Sequence, residues 1–187
     1  TMNPSTEDIL KAVNEVNAKK IFVLPNNKNI ILAAEQARDV SDKEVIVIPS
    51  KTVPQGLAAI LAFNPTLGTD QIKNLMTEAM GNVKSGQVTF AVRDTKIDGL
   101  TIKKDDYMGI LEGDIVVSHQ DCFETAKELL EKMLDDDSEI LTILKGEDAQ
   151  DEWTDKLVSF VEASYPDVEI EIHDGKQPLY PYIFSVE

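Results

Sequence analysis

Residues 19–49 read KKIFVLPNNKNIILAAEQARDVSDKEVIVIP. Two uncharged apolar runs, IFVL (21–24) and VIVI (45–48), are rich in β-branched and aromatic residues, and each is closed by a proline, Pro25 and Pro49. Runs of this length and composition read as strands buried on both faces. Between them Asn26-Asn27-Lys28-Asn29 is turn chemistry, and Asn27 or Asn29 can cap a helix over Ile30–Arg38. A strand, a helix and a second buried strand in that order predict a parallel pair joined by a right-handed crossover. The fold class is therefore α/β.

Working outward, Ser50 to Gly56 reads as a polar loop, followed by an apolar helix over Leu57–Phe63 that Asn64-Pro65 ends. Thr69 or Asp70 then caps a helix running to Met80, with Gly81 as its stop. Upstream, Pro4 fixes its own φ, and Ser5 with Asp8 has the spacing of a capping box. Glu7 and Asp8 suit the positive end of that helix, and Ile9, Leu10, Val13 and Val16 mark its apolar stripe. The first lobe, 1–82, is a parallel β-α-β-α-α arrangement behind this leading helix.

The pattern changes at residue 83. Short strands are expected over 87–94, 99–104, 106–113 and 114–118, with tight turns at Asp98-Gly99 and at Glu112-Gly113-Asp114. An amphipathic helix follows over 121–134, a strand over 140–144 and a turn at Gly146-Glu147-Asp148. A helix then spans Gln150–Ser164, with strands over 168–173 and near Tyr182–Val186. This second lobe, 83–187, is a β-meander leading into a β-α-β unit, an α+β arrangement with a mixed sheet. The soft boundary falls within GNVKSG (81–86).

The chain has 187 residues and a formal charge of −16, enough length for one large domain or two small lobes. Residues 1–90 carry 9 basic and 9 acidic side chains, whereas residues 91–187 carry 9 and 25. The acidic excess is thus confined to the second half. No basic face is available to displace counterions from phosphates, which argues against nucleic acid and against anionic lipid surfaces. A basic protein partner is allowed. No apolar run reaches 18 residues and no secretory leader pattern is present, so no membrane span is expected. Cys122 is the single cysteine, which leaves no internal disulfide and suits a reducing, cytoplasmic compartment.

Sequence motifs for chemistry are sparse. Neither a P-loop nor a G-x-G-x-x-G cradle is present, and the G-x-S-x-G elbow is also missing. His119 and Cys122 have an H-x-x-C spacing, but a zinc site needs three or four ligands, and Ser118, Asp121 and Glu124 already explain the stretch as a helix start. Asp135-Asp136-Asp137 lacks the spacing and glycine of a calcium loop. No metal site and no catalytic residue are assigned. In open parallel sheets, ligands gather beyond the carboxyl ends of the strands, at helix N-termini. Those ends carry Asn26 and Asn27 after the first strand, then Ser50, Lys51, Thr52 and Gln55 after the second. These amides, hydroxyls and one ammonium suit a carboxylate, a phosphate or a partner's backbone, while none is a good general base. Asn3, Ser5 and Thr6 join them as candidate partner- or ligand-binding residues.

Five stretches carry a resemblance: TMNPSTEDIL (1–10), VLPNNKNI (23–30), VIPSKTVPQGLAAILAF (47–63), FAVRDTKIDG (90–99) and QPLYPYIFSVE (177–187). In this order they resemble the C-terminal region of the fatty acid kinase A protein (FakA), in the dihydroxyacetone-kinase-like family known as DhaL-domain or DAK phosphatase proteins. One departure is GKQPLY (175–180), where the family pattern is close to GGQPLY, so that Lys176 stands at a position that the family gives to glycine. The resemblance implies that further domains precede Thr1: an ATP-binding DhaL-like domain holding magnesium through aspartates, then a middle domain with essential histidines and a cysteine. It also implies a separate DegV-like subunit whose bound fatty acid receives the γ-phosphate and becomes an acyl phosphate.

The residues that bind ATP and magnesium have no counterparts in these 187 positions. The expected role is therefore a non-catalytic one, docking the DegV-like fatty-acid-binding subunit to present it to the kinase domain of the same chain. No cofactor is expected in this segment, and a homodimer is left open. The Asn26–Ser50 rim and the acidic helices within 121–164 are the candidate contact surfaces. The alternative is a small-molecule or lipid site at the rim itself. An independent phosphatase lacks a base or metal cluster. The β-α-β core also resembles the first lobe of DegV-type lipid binders.

Overall fold

A computed structural model describes residues 3–187. The chain folds as two compact units, one ending at Val83 and one spanning Lys84–Glu187.

The N-terminal unit is a two-stranded sheet between two helical layers. Its helices are α1 (Thr6–Glu15), α2 (Lys28–Val40), α3 (Val53–Leu61) and α4 (Thr69–Met80), and its strands are β1 (Lys20–Val23) and β2 (Glu44–Val47). The strands pair in parallel, in register from Lys20 opposite Glu44 to Val23 opposite Val47. Strand periodicity then sorts the core. Ile21, Val45 and Val47 meet Ile9 and Val13 of α1 and Ile30, Ala34 and Ala37 of α2 on one face. Ile46 and Ile48 meet Ala59 of α3 and Ile72, Met76 and Met80 of α4 on the other.

Local signals start these helices. Ser5 and Asp8 close the expected capping box on α1, and the Lys43 ammonium donates to the Val13, Asn14 and Val16 carbonyls at its C-terminus. Asn27, not Asn29, caps α2 through a bond from the Asn29 amide. The expected loop over Ser50–Gly56 is overturned. Helix α3 begins at Val53, because the Thr52 hydroxyl accepts from the Gln55 amide at 3.2 Å and Pro54 falls in the first turn, where no N–H is required. The cap of α4 is Gly68 rather than Thr69 or Asp70; the Gln71 carboxamide oxygen accepts the Gly68 amide at 3.1 Å.

The C-terminal unit is built on a mixed six-stranded sheet. In chain order its strands are β3 (Lys84–Phe90), β4 (Thr95–Ile97), β5 (Leu100–Ile102), β6 (Tyr107–Leu111), β7 (Asp114–His119), β8 (Ile140–Lys145), β9 (Glu169–Asp174) and β10 (Tyr182–Val186), with helices α5 (Cys122–Met133) and α6 (Asp151–Ser164). The sheet order is β7-β6-β3-β10-β8-β9, while β4 and β5 form a separate hairpin. Only β8 and β9 pair in parallel within the six. Helices α5 and α6 cover one face, where Leu129, Leu130, Met133, Leu157 and Val161 pack on Val88, Leu141, Ile143, Tyr182 and Phe184. A buried bond of 2.8 Å joins the Thr154 hydroxyl to the Tyr182 phenol.

Both hairpin turns fall as expected, with positive φ at Asp98 and Gly99 and at Glu112 and Gly113. Several strand bounds differ from expectation: β4 is an added strand, and the expected strand over 106–113 shortens to β6. Strand β3 runs from Lys84 to Phe90 rather than over 87–94, because its pairing begins at Lys84 opposite Val186 and ends at Phe90 opposite Tyr107. Within it Gly86 lies against Met133 and Leu129, where a Cβ would collide. The expected strand at 99–104 shortens to β5, which pairs with β4 as a hairpin. Lys176 has a φ of 53° and donates its amide to the Lys145 carbonyl at 2.9 Å. Lys176, where the resemblance leads to an expectation of glycine, thus lies on a left-handed backbone.

Candidate functional site

The parallel pair places the ends of β1 and β2 side by side, and the residues that follow converge as expected. Ser50 is fully buried. Its hydroxyl accepts the Asn26 amide at 3.0 Å and donates to Asn26 Oδ1 at 2.8 Å. Asn26 is held at a φ of 56°, a conformation that asparagine tolerates better than most residues. The Asn26 carboxamide lies against the backbone of Gly56 in the first turn of α3, leaving no room for a Cβ there. Turn, strand end and helix start are thereby locked together.

The other rim residues are also engaged locally. Asn27 caps α2 and Thr52 caps α3. Gln55 turns back so that its Oε1 accepts the Lys51 amide at 2.8 Å. The Lys51 residue is exposed at the N-terminus of α3. These groups can orient one another and present one cation, and none is placed as a general base.

Asn3, Ser5 and Thr6 do not join this rim. The Thr6 hydroxyl donates to Gln36 Oε1 at 2.9 Å. Gln36 lies nine residues beyond the Asn27 cap, roughly 13 Å along α2 at 1.5 Å per residue. Ser5 is occupied by its capping box, whose hydrogen bonds to the Asp8 carboxylate hold that group below the usual carboxylate range. Asn3 lies exposed in a bend.

The H-x-x-C pair separates chemically. His119 Nε2 lies 2.5 Å from Glu128 Oε2, while Cys122 is buried and burial pushes its thiol up to about 12. Among the described residues no three His, Cys, Asp or Glu side chains gather as a metal site. Asp135 instead organises the turn after α5. It accepts from the Asp137 amide and the Ser138 hydroxyl and pairs with Lys84. Of two open depressions, one reaches Val47 and Pro49 beside the rim and the other lies on the C-terminal unit. One, of about 490 Å³, is lined by Glu35, Arg38, Val47, Lys73 and Thr77 among others; the other, of about 360 Å³, lies along α5 beside His119.

The feature that sequence reasoning missed is the outer face of α3. Leu57, Ile60 and Leu61 are 44%, 55% and 87% exposed. Their i, i+3, i+4 spacing puts them on one stripe. Beyond the helix, Phe63 is exposed yet keeps an edge-to-face contact with Phe22 at 5.4 Å. The available signal was charge: residues 52–69 contain no charged side chain, in a chain where 28% of residues are charged.

The fold defined by these two units has clear counterparts among solved proteins. The Streptococcus pneumoniae fatty acid kinase B3 protein loaded with linoleic acid matches with a TM-score of 0.67, covering 98% of this chain and 76% of that one at 16% identity. A Thermotoga maritima protein described as revealing fatty acid binding function gives 0.67, covering 99% and 76% at 15% identity. The dihydroxyacetone kinase of C. freundii in complex with AMP-PNP and Mg2+ gives 0.61, covering 98% and 41% at 12% identity. At such identities the likeness is one of fold, a mixed α/β architecture of DegV and dihydroxyacetone kinase type.

Sequence takes the assignment further. The FakA-like C-terminal family, the C-terminal region of fatty acid kinase A-like proteins, matches residues 1–187, and the chain belongs to that family. Protein YloV of Bacillus subtilis (strain 168) is 56% identical over 187 residues, all of this chain and 34% of that protein. A Staphylococcus aureus (strain MRSA252) protein is 51% identical with the same coverage. The chain spans about a third of the length of the curated relatives it matches. Among the described residues, no helix is long and apolar enough to cross a membrane.

Proposed function

We propose that this chain is the non-catalytic docking domain of a cytoplasmic, ATP-dependent fatty acid kinase. It holds a DegV-like fatty-acid-binding subunit so that the bound fatty acid is phosphorylated to acyl phosphate by a kinase domain elsewhere in the longer protein. The observation that carries the reading is the uncovered apolar stripe of α3, Leu57, Ile60 and Leu61, in a chain of the FakA-like C-terminal family. Exposed, contiguous apolar surface of this kind is what a protein partner buries. The rim favours the same role, because its hydroxyls and amides are largely engaged in caps and mutual bonds.

Titration calorimetry of the purified chain with a DegV-like subunit loaded with oleate tests the proposal. Saturable binding that Leu57→Asp and Leu61→Asp weaken is the expected result; no complex by calorimetry or size exclusion overturns it. The rim keeps a second reading through Lys51, an exposed cation at the N-terminus of α3. A rise in melting temperature with fatty acid or acyl phosphate alone, abolished by Lys51→Ala, would favour a small-molecule site instead.

A further inference from the structure

Strand β9 ends the six-stranded sheet, and among the described residues its one ladder partner is β8. Five of its six residues are exposed and Ile170 is half-buried. The Glu169 amide bonds to the Glu139 carbonyl of the β8 side at 2.8 Å. In a parallel ladder the inward-facing residues then alternate. Glu169, Glu171 and His173 spend their backbone groups on β8, whereas the N–H and C=O groups of Ile170 and Ile172 point away from the sheet. Sheets usually blunt such an edge with charged side chains, proline or a bulge, and the glutamates of β9 guard this one against acidic strands alone. Here β9 reads Glu-Ile-Glu-Ile-His-Asp and pairs with β8 without a register shift.

The charges select the occupant. Glu169 and Glu171 lie on one face of the strand, and the C-terminal unit carries 10 Lys or Arg against 25 Asp or Glu, a balance of −15. A second copy of the chain pairing edge to edge would set these carboxylates against their own kind, which is unfavourable for directly opposed residues. An extended segment with Lys or Arg at alternate positions meets the opposite situation. Its backbone completes the ladder while its cations face Glu169 and Glu171, and its uncharged side chains lie beside Ile170 and Ile172.

We propose that the outer edge of β9 accepts an extended basic segment of a partner polypeptide as a further strand. The inference concerns the C-terminal unit and does not rest on docking by α3. The probe is a synthetic nine-residue peptide alternating Lys with Val or Thr, added to the full 187-residue chain. Expected are hydrogen-exchange protection of the Ile170 and Ile172 amides, at least tenfold weaker binding between 50 and 300 mM salt, over which the Debye length falls from about 14 to about 6 Å, and loss of binding with an all-Glu counterpart. The same Lys peptide with its ladder-forming amides N-methylated keeps the charge and loses the donors, so it is expected to bind at least tenfold more weakly.

Ile172→Pro removes an outward N–H that β8 does not use, a placement edge strands tolerate, and is expected to abolish peptide protection while the chain stays folded. If the N-methylated peptide binds equally well, or protection appears elsewhere than at Ile170 and Ile172, attraction is merely to net charge and the proposal is overturned. If Ile172→Pro does not fold, the N-methylated peptide decides alone. The stripe variant Leu57→Asp and Leu61→Asp is expected to leave this binding unchanged, so failure here and failure of the docking role remain distinguishable.

Discussion

Asn26 and Ser50 hold each other in both directions: the Asn26 amide donates to the Ser50 hydroxyl, and that hydroxyl donates to the Asn26 carboxamide oxygen. The pair ties the end of β1 to the loop after β2 across 24 residues, with Ser50 fully buried. Ser50→Ala removes one acceptor and one donor at once and leaves a part-buried amide unmatched. The expected loss is about 2 kcal/mol, the cost of orphaning buried polar groups. Urea unfolding checks it, read as a lower midpoint at constant slope.

Gly56 depends on the same asparagine. A methyl at Gly56 would occupy the space of the Asn26 carboxamide, and that carboxamide cannot swing away without giving up Ser50. Gly56→Ala is therefore expected to destabilise by about 1–3 kcal/mol, the usual cost of overpacking. Asn26→Gly empties the space and also accepts the left-handed φ of 56°. The double variant should be less unstable than the sum of its parts by at least about 0.5 kcal/mol, as expected for residues in contact. Additive effects would show that the two positions do not share this space.

Much of the architecture is legible in the residues themselves. Residues 21–24 and 45–48 announce strands because each is buried on both sides, by α1 and α2 on one and by α3 and α4 on the other. Asp98-Gly99 and Glu112-Gly113 announce hairpins because their turns require positive φ. The start of α3 is hidden, since Pro54 and Gly56 look like breakers. Proline is harmless in a first turn, and Gly56 is required by Asn26, a contact 30 positions distant that local pattern cannot supply. Lys84-Ser85-Gly86 hides the start of β3 for a similar reason: Gly86 is needed under Met133.

The convergence of Asn26 with Ser50 was legible, whereas their consumption of each other was not. The stripe at Leu57, Ile60 and Leu61 has the periodicity of any core helix; the uncharged run over 52–69 hints at it, and its exposure in the fold sets it apart.

Lys176 supplies a test of backbone conformation. Its φ of 53° costs an L-residue about 1–2 kcal/mol relative to a right-handed conformation, partly offset in glycine by greater unfolded-state entropy. Lys176→Gly is expected to stabilise the chain by about 0.5–1 kcal/mol, and the β-branched Lys176→Val to destabilise it. The stability order Gly, Lys, Val from urea midpoints checks the claim. Equal midpoints for all three would remove the strain from the account.

The Asp135 turn gives a pH dependence of known sign. Hydrogen bonds from Lys84 and Ser138 hold the Asp135 carboxyl below its ordinary value of 3.8. A carboxyl depressed in the folded state contributes stability that is complete above its unfolded value and is lost as pH falls through the folded one. The urea midpoint should therefore decline as pH drops below about 4, and Asp135→Asn should shallow that decline while lowering the midpoint at neutral pH. Asp8, Asp151 and Glu152 are depressed as well, so a residual slope is expected in the variant. An unchanged slope would mean that Asp135 contributes nothing to the linkage.

The stripe on α3 separates folding from docking. Leu61 is 87% exposed and Leu57 is 44% exposed, so neither contributes much to the core under Ala59 and Ile72. Substitutions at such positions usually shift stability within about 0.5 kcal/mol. Leu57→Asp with Leu61→Asp should accordingly unfold close to the unmodified chain, within about 1 kcal/mol for the pair. At an interface, the same carboxylates would be buried without partners, a change that costs several kcal/mol. Affinity for a DegV-like subunit is then expected to fall at least about a hundredfold, which corresponds to about 2.7 kcal/mol at roughly 1.4 kcal/mol per decade. Retained affinity with retained stability would move the contact off α3, and the acidic turn at Asp135–Asp137, probed by charge reversal, would be the next surface to examine.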